Sequence, residues 1–360
     1  MTKGIAAIIT LTLLAGCAGP ETAMFRADPH HSGRYQAAGI TSLNQLRWKF
    51  STGGEVKSTP VLVGGLVLFG SQNKHLYAVS AATGLAQWKF SAGGAVQASP
   101  AVRGQEAYFG DLEGLFYGVN TVTGNERWRM HAKGAIYSSA AIVDTVAYFG
   151  DSAGNVYAVS LETGSERWHS QVGSAVYTSP AIADGLVYAG TADGYLYALD
   201  AASGQERWRF HTGDAVNSSP AVAMGMVFFG SDDGNFYAVN VRTGQESWRY
   251  KTGGKISSSP AVDGGMVYFG SYDGFVYALD AQTKRPKWKY KTRDWVVSSP
   301  TVTDKAVYFG SYDGDLYAVD RDSGALLWKY KTEKAIQSSA VVDANTVYFG
   351  SSDGHVYAVQ

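Results

Sequence analysis

The chain has 360 residues, of which 45% are hydrophobic, and carries a formal net charge of −1 with a single cysteine, Cys17. A charge so close to zero provides no field that would attract nucleic acid, and the hydrophobic content excludes a largely disordered chain. One cysteine excludes disulfide bonds within the chain and any metal or redox site built from cysteines.

Residues 1–16 are predicted to be a signal peptide. A positive charge precedes the apolar run 5–14, which is too short for a helix to cross a bilayer core of about 30 Å. The sequence Leu14-Ala15-Gly16-Cys17 resembles the lipobox of bacterial lipoproteins, which implies cleavage before Cys17 and a lipid on its sulfur. Ala18 follows, rather than the aspartate of an inner-membrane retention signal, so an outer-membrane anchor facing the periplasm is expected. An ordinary signal peptide with an incidental cysteine is the alternative.

Residues 17–45 are predicted to be the lipidated N-terminus and a linker. His30 and His31 lie in this segment, but adjacent side chains of a linker point apart, so no metal site is expected there. The other histidines share no single repeat position and complete no Ser-His-Asp arrangement, so no catalytic residue is assigned: His75, His131, His169, His211 and His355.

A repeat of 40 residues occupies 46–360. Eight tryptophans mark it without a single insertion: Trp48, Trp88, Trp128, Trp168, Trp208, Trp248, Trp288 and Trp328. Each unit holds four short apolar runs separated by turn residues, and no segment has a helical period. In the seventh unit the predicted strands are 298–302, 306–311, 315–320 and 326–332. Four strands in about 40 residues are typical of a β-propeller blade.

The two chain ends predict how the ring closes. The chain finishes with a third strand (357–360), and the repeat region starts with a fourth strand (46–52). Joined, the two strands complete one blade and hide the sheet edges. The sequence therefore predicts an all-β fold, an eight-bladed propeller of four-stranded blades in which an N-terminal strand joins the C-terminal blade of a monomer.

The first strand of each unit is predicted to line a crowded central channel. Small residues recur there at one position: Ser58, Ala98, Ser138, Thr178, Ser218, Ser258, Ser298 and Ser338. Prolines, which cannot donate to a sheet ladder and therefore suit an edge, recur at another: Pro60, Pro100, Pro180, Pro220, Pro260 and Pro300.

The segment 198–208, ALDAASGQERW, resembles the tryptophan-docking motif of pyrroloquinoline-quinone-type propeller repeats. The resemblance covers residues 46–360, and residues 24–34 resemble the lead-in before many such propellers. It implies that each repeat tryptophan wedges between neighbouring blades, where a flat ring buries a large area at low entropic cost. One copy departs from the motif, with Thr283-Lys284 in place of Thr-Gly, and a strained turn is expected there.

Two kinds of protein carry such repeats. Quinoprotein dehydrogenases bind the quinone and Ca²⁺, and many have vicinal cysteines or a haem-binding motif, neither of which occurs here. Lipid-anchored, non-catalytic propellers, typified by the lipoprotein of the outer-membrane β-barrel assembly machinery, resemble this chain in anchor and blade number. The Asp-Gly turns offer too few oxygens for calcium, so they are interpreted as turns, and neither a cofactor nor a metal site is predicted.

The positions at which the repeat varies are the candidate partner-binding face. They precede the first strand of each blade, and we single out Lys57, Gln97, Tyr137, Tyr177, Asn217 and Gln337, with Glu55 and Lys255 in a second set. Trp295 belongs to the second set, is the only tryptophan outside the 40-residue spacing, and is flanked by Arg293 and Asp294. An exposed aromatic beside charges resembles a binding hot spot. Neutral drift is the alternative, and Trp295 as a plug of the channel is another.

The sequence thus favours a lipid-anchored envelope protein without catalysis, a scaffold for envelope proteins, with outer-membrane protein assembly as one candidate process. A quinone-dependent dehydrogenase and a sensor of small molecules or glycans are the alternatives.

Overall fold

The computed structural model describes residues 22–360, so the predicted signal peptide and Cys17 lie outside the described residues. This part of the chain contains strands and turns but no helix, and therefore no helix that could span a membrane. The strands form eight sheets. The prediction of an all-β eight-bladed propeller is confirmed.

The strands of the first half are as follows, in chain order. Two precede the blades: β1 (Thr22–Ala23) and β2 (Leu46–Ser51). Blade 1 contains β3 (Val61–Val63), β4 (Leu66–Ser71), β5 (His75–Ser80) and β6 (Ala86–Ser91). Blade 2 contains β7 (Ala101–Arg103), β8 (Glu106–Gly110), β9 (Leu115–Asn120) and β10 (Glu126–His131). Blade 3 contains β11 (Ala141–Val143), β12 (Val146–Gly150), β13 (Asn155–Ser160) and β14 (Glu166–Gln171). Blade 4 contains β15 (Ala181–Ala183), β16 (Leu186–Gly190), β17 (Tyr195–Asp200) and β18 (Glu206–His211).

The second half repeats the arrangement. Blade 5 contains β19 (Ala221–Ala223), β20 (Met226–Gly230), β21 (Asn235–Asn240) and β22 (Glu246–Lys251). Blade 6 contains β23 (Ala261–Asp263), β24 (Met266–Gly270), β25 (Phe275–Asp280) and β26 (Arg285–Lys291). Blade 7 contains β27 (Thr301–Val302), β28 (Ala306–Gly310), β29 (Asp315–Asp320) and β30 (Leu326–Lys331). Blade 8 contains β31 (Val341–Val342), β32 (Val347–Gly350) and β33 (His355–Val359).

Two antiparallel pairings join strands that are not consecutive in the chain. β2 pairs with β33, with Trp48 opposite Ala358, and so completes blade 8 as predicted. β1 adds a fifth strand to blade 2 by pairing with the innermost strand β7. The innermost strands are shorter than predicted, because the Ser-Ser-Pro residues precede them as an irregular segment, as in blade 7, where β27 begins at Thr301.

The core lies between the blades, because both faces of each sheet pack on a neighbour. Phe236 of blade 5 stacks on Phe269 of blade 6 with ring centroids 4.1 Å apart, and Phe116 and Phe149 repeat this contact between blades 2 and 3. Trp48, Val356 and Ala358 of blade 8 pack with Val67 and Phe69 of blade 1, which joins the two ends of the chain. Full burial on both faces explains why the middle strands lack a clean polar alternation.

Hydroxyl groups bond the blades together around the channel. The backbone N–H of Thr59 donates to Ser99 Oγ of the next blade over 2.9 Å, and the N–H of Ser99 donates to Ser139 in the same way. The ring closes where the N–H of Ser339 donates to Thr59 Oγ1 over 3.2 Å. Alanine would be small enough for this position, but it could not accept the hydrogen bond from the neighbouring blade, so the bond accounts for the hydroxyl.

The repeat tryptophans bond each blade to the next. The indole N–H of Trp48 donates to the carbonyl of Ala81 over 3.0 Å, and six further tryptophans make the equivalent bond: Trp88, Trp128, Trp168, Trp208, Trp288 and Trp328. The ring of Trp48 lies against Gly84, where a Cβ would come within 2.7 Å of it. Glycine is therefore required both for the positive φ of 71° and for the approach of the indole.

Lys284 occupies this glycine position opposite Trp248. Its φ is 62°, a conformation that costs an ordinary residue about 1–2 kcal/mol. Among residues 22–360, Trp248 is the one repeat tryptophan whose indole makes no hydrogen bond to the next blade. The positive φ of Lys284 is thus accompanied by a missing hydrogen bond between blades 5 and 6, although Trp248 still packs against blade 6.

Replacing Lys284 with glycine is expected to stabilise the protein by roughly 0.5–1 kcal/mol, because relief of the strain exceeds the added entropy of the unfolded chain. The shift of the denaturation midpoint in guanidinium measures it. The matched control is Gly324→Lys in blade 7, where a Cβ would approach Trp288 within 2.7 Å, and which should destabilise. A loss of stability in Lys284→Gly would contradict this account.

Candidate functional site

The mouth of the channel is the end of the ring formed by the Asp-Gly turns and by the loops that enter the innermost strands. In each blade the loop is bonded to the turn of the same blade, as in Trp295 O with Tyr312 N (2.9 Å) and Glu55 O with Gln72 N (2.9 Å). All the varying positions singled out in the sequence lie in these loops. The structure therefore places them on one end of the ring.

The aspartates of the Asp-Gly turns hold this end rigid. The carboxylate of Asp313 accepts hydrogen bonds from the N–H of Arg293 (3.0 Å) and from the hydroxyl of Tyr317 (2.7 Å). Burial and this hydrogen bond raise the pKa of Tyr317, so the hydroxyl remains a donor. Residues 22–360 contain no group of three or more His, Cys, Asp or Glu side chains placed to hold a metal ion. The aspartates shape the loops.

Trp295 is the centre of an aromatic cluster at the mouth. Its side chain is 46% exposed, and its ring lies 4.9 Å from that of Tyr272 and 5.6 Å from that of Tyr312. Tyr272 belongs to the turn of blade 6 and Tyr312 to the turn of blade 7, so the indole bridges two blades. The cluster presents aromatic surface on a backbone fixed by hydrogen bonds.

The charges beside Trp295 are used locally. Arg293 turns away and pairs with Asp315, with its Nη2 2.5 Å from a carboxylate that Lys329 also contacts at 3.1 Å. One carboxylate oxygen of Asp294 accepts a hydrogen bond from the N–H of Trp295 (2.8 Å). The two residues thus fix the loop that carries Trp295, while their exposed parts border the aromatic cluster.

The other predicted residues fall into separate groups around the mouth. Asp232 collects Lys255 (3.1 Å), Asn217 (3.3 Å) and Ser257 (3.1 Å) into a polar cluster between blades 5 and 6. Tyr137 and Tyr177 meet edge to face with centroids 5.2 Å apart and are 38% and 44% exposed.

The remaining predicted positions belong to neither group. Lys57 forms an ion pair with Glu55 (3.3 Å), Gln337 donates a hydrogen bond to Ser352 (3.3 Å), and Gln97 is half-buried.

Sequence reasoning missed a third set of mouth residues, which directly precede the turn dipeptide between the second and third strands of each blade; this dipeptide is Asp-Gly in blades 4 to 8. The members are Gln72, Leu112, Ser152, Ala192, Asp232, Tyr272, Tyr312 and Ser352. They vary as strongly as the loop positions, and that variation was the available signal. Tyr272, Tyr312 and Asp232 supply the contacts that turn single loop residues into clusters.

The opposite end of the ring, named here the far face, is formed by the hairpin tips between the first and second strands of the blades and by the turns between the third and fourth. Residues 24–34, the lead-in, run along the free edges of the innermost strands there. Their carbonyls accept backbone N–H groups from blades 4 to 7 over 2.7–2.9 Å: Pro29 from Ile182, His30 from Val222, Ser32 from Val262 and Gly33 from Val302. This part of the predicted linker is bound to the ring.

Two polar side chains of the lead-in are buried in the channel. Arg26 is 2% exposed and donates to the carbonyls of Pro300 (2.6 Å) and Pro260 (2.7 Å) from two neighbouring blades. Burial lowers the pKa of Arg26 to about 10, so it remains charged at neutral pH. His31 contacts the carbonyl of Pro220 through Nδ1 (3.0 Å), and burial lowers its pKa to about 4, which makes it a neutral donor. The adjacent His30 is exposed, so the two imidazoles lie in different environments.

Two cavities lie at the far face rather than at the mouth. One, of about 580 Å³, is bounded by Thr22–Met24, Arg34–Gln36 and the innermost strands of blades 1 and 8. The other, of about 810 Å³, lies between blades 3 and 4.

Comparison with known proteins agrees with this architecture. The family model described as "Outer membrane protein assembly factor BamB" matches residues 40–181, 175–259 and 238–360. No curated protein matches the chain in sequence.

Solved structures share the fold at low identity. BamB from Moraxella catarrhalis is similar with a TM-score of 0.77 and 18% identity, covering 88% of this chain and 99% of that one. The computationally designed Ika8 protein gives 0.79 and 18%, with the same coverage. Quinohemoprotein alcohol dehydrogenase from Comamonas testosteroni gives 0.81 and 14%, covering 93% of this chain and 80% of that one. An assembly factor, a designed protein and an enzyme thus share the fold, so function has to be argued from the site.

Proposed function

Since the chain belongs to the family of the outer membrane protein assembly factor BamB, we propose that it is a lipid-anchored envelope scaffold that binds other proteins and performs no catalysis. Its partners would be envelope proteins, and the family favours components of outer-membrane protein assembly. The mouth of the channel would be the docking surface.

The observation that carries the proposal is the cluster of Trp295, Tyr272 and Tyr312. Aromatic side chains are enriched at the energetic centres of protein interfaces. Here the largest of them is 46% exposed on a loop that hydrogen bonds fix to the turn of its blade, so little order would have to be imposed on binding. The polar cluster at Asp232 is the adjacent group on the mouth and would act as part of a polar rim.

The anchor gives the first test. Cys17→Ser removes the sulfur that would carry the lipid, so metabolic labelling with fatty acid should be lost and the protein should move to the soluble fraction. Unaltered fractionation of the variant with the membrane would reject the anchor. Cys17→Ala is the companion variant, because it excludes an effect of the new hydroxyl.

A quinone-dependent dehydrogenase is the second candidate, because an alcohol dehydrogenase shares the fold. The chain has neither vicinal cysteines nor a haem-binding motif, and none of its blades carries an insertion. Purified protein mixed with pyrroloquinoline quinone and Ca²⁺ is therefore expected to keep no quinone absorbance after dialysis and to reduce no dye with alcohols. If the protein retained the absorbance and reduced the dye in an alcohol-dependent way, the scaffold proposal would be rejected in favour of a dehydrogenase.

A further inference from the structure

We propose that the ring lies with the far face of blades 8, 1 and 2 against a lipid surface, and that the mouth points away from the membrane. The inference rests on the proposed lipid at Cys17. It adds an orientation to the proposed function, and it places the aromatic cluster of the mouth in the aqueous compartment.

The first argument is the length of chain between the anchor and the ring. Thr22 pairs with Arg103 at the last position of β7, directly before the hairpin tip Gly104-Gln105 of the far face. Five residue steps separate Cys17 from Thr22, which reach at most about 18 Å when fully extended. The lipid is therefore confined to the neighbourhood of this tip.

The same length excludes the mouth. The second strands connect the far face with the mouth, and six residues of strand such as β4 (Leu66–Ser71) span about 20 Å before the turns are added. A direct path through the channel is occupied by the lead-in, where Arg26 bonds carbonyls of two blades. The chain before Thr22 must leave through the far face.

The second argument is the distribution of charge on the far face. The hairpin tips of blades 1, 2 and 8 are Gly64-Gly65, Gly104-Gln105 and Ala344-Asn345, and the outer turns are 81–85, 121–125 and the joined chain segment 41–45. None of these residues is charged, and the only charged residue in the three connections is Asp343, which is half-buried directly before Ala344. Each of blades 3 to 7 carries at least one: Asp144 and Glu162, Asp184, Arg242, Lys284 and Arg285, and Asp304, Lys305, Arg321 and Asp322.

Apolar side chains are exposed in this arc of blades 8, 1 and 2. Leu85 of blade 1 is 67% exposed, Val122 of blade 2 is 64% exposed and Leu46 of blade 8 is 40% exposed, whereas Met224 and Leu326 are the only large apolar residues so exposed on the far face of blades 3 to 7 among residues 22–360. Their exposure has no use within the ring, whereas the boundary of headgroups and acyl chains accepts such residues and excludes the charged tips of the other blades. The arc coincides with the blade from which the N-terminus leaves, and this coincidence selects a lipid surface as the occupant.

Site-specific labels test the orientation. Because Cys17 is the only cysteine and would be blocked by its lipid, a cysteine introduced elsewhere can be labelled alone. The variants are Ala82→Cys in the arc, Ala202→Cys at the equivalent far-face position of blade 4, and Lys334→Cys in a mouth loop of blade 8, all exposed. The lipidated proteins are reconstituted into phosphatidylethanolamine and phosphatidylglycerol vesicles that contain a fluorescent acceptor lipid.

Energy transfer should be strongest from position 82, intermediate from 202 and several-fold weaker from 334. Transfer from 334 equal to or above that from 82 would overturn the orientation, and equal transfer from 82 and 202 would overturn the contact arc. In either case flotation of the protein with the vesicles would leave the anchor itself intact. Failure of the unlabelled protein to float would reject the anchor, and the orientation with it.

A charge in the arc provides the second variant. Leu85→Lys combined with Val122→Lys should reduce energy transfer from position 82, because charged side chains avoid the acyl boundary, while the lipid still holds the protein on the vesicles. This measurement uses neutral phosphatidylcholine vesicles, so that anionic lipids do not attract the new lysines. Leu326→Lys, at an exposed leucine of blade 7 outside the arc, is the matched control and should leave the transfer unchanged. Equal transfer in all three proteins would show that the arc makes no contact.

Discussion

Trp295→Ala is expected to weaken capture of the envelope partner by about 30-fold, which corresponds to the roughly 2 kcal/mol that aromatic hot spots carry. Stability should change by less than about 1 kcal/mol, because nearly half of the side chain is already exposed and its loop remains bonded to Tyr312. Chemical crosslinking in cells, affinity purification of the crosslinked protein and mass spectrometry identify the partner. Capture by the two purified proteins is then compared with their denaturation midpoints.

The control is a tryptophan that the ring does need. Trp288 is 8% exposed and donates to the carbonyl of Arg321, so Trp288→Ala should destabilise the protein by about 3–5 kcal/mol and leave capture by the folded fraction intact. If Trp295→Ala behaved like Trp288→Ala, the residue would be a plug of the channel mouth and the proposed docking surface would be wrong. Trp295→Phe should retain most of the capture, since Tyr272 and Tyr312 still border an aromatic ring.

Arg26→Met is expected to lower the free energy of unfolding by about 2–4 kcal/mol. The substitution leaves the carbonyls of Pro260 and Pro300 buried without a donor, and each such group costs about 1–3 kcal/mol. Release of a desolvated guanidinium offsets part of this loss, because burial disfavours its charged form. Urea denaturation followed by fluorescence measures the change.

A second measurement locates the effect of Arg26→Met. The N–H groups of Val262 and Val302 donate to carbonyls of the lead-in, so their hydrogen exchange should accelerate more than that of amides between middle strands. Arg47→Met is the matched control, because Arg47 is exposed and bonds only the hydroxyl of Thr346; it should change stability by less than about 0.5 kcal/mol. Wild-type stability in Arg26→Met would mean that the lead-in does not support the ring.

The candidate site was predictable as a region but not as a set of contacts. The departure of Trp295 from the 40-residue spacing identified the loop, and the variation around it identified the mouth. Its neighbours Tyr272 and Tyr312 come from turns of two different blades, so only the packing of blades brings the three rings together. The same holds for Lys255, whose partner Asp232 belongs to the preceding blade.

The sequence by itself determined the fold, because strands, turns and tryptophans recur with one period and each blade is built from local antiparallel pairs. It also determined the closure, since a lone fourth strand and a lone third strand can be satisfied only by each other. Only the tertiary structure decided the course of the lead-in. Its partners are backbone N–H and carbonyl groups of blades 4 to 7. Nearly every residue type provides these groups, so no side-chain pattern in the sequence could predict the pairing. The burial of Arg26 has the same origin, because the carbonyls of Pro260 and Pro300 that accept its hydrogen bonds become neighbours only when the ring closes.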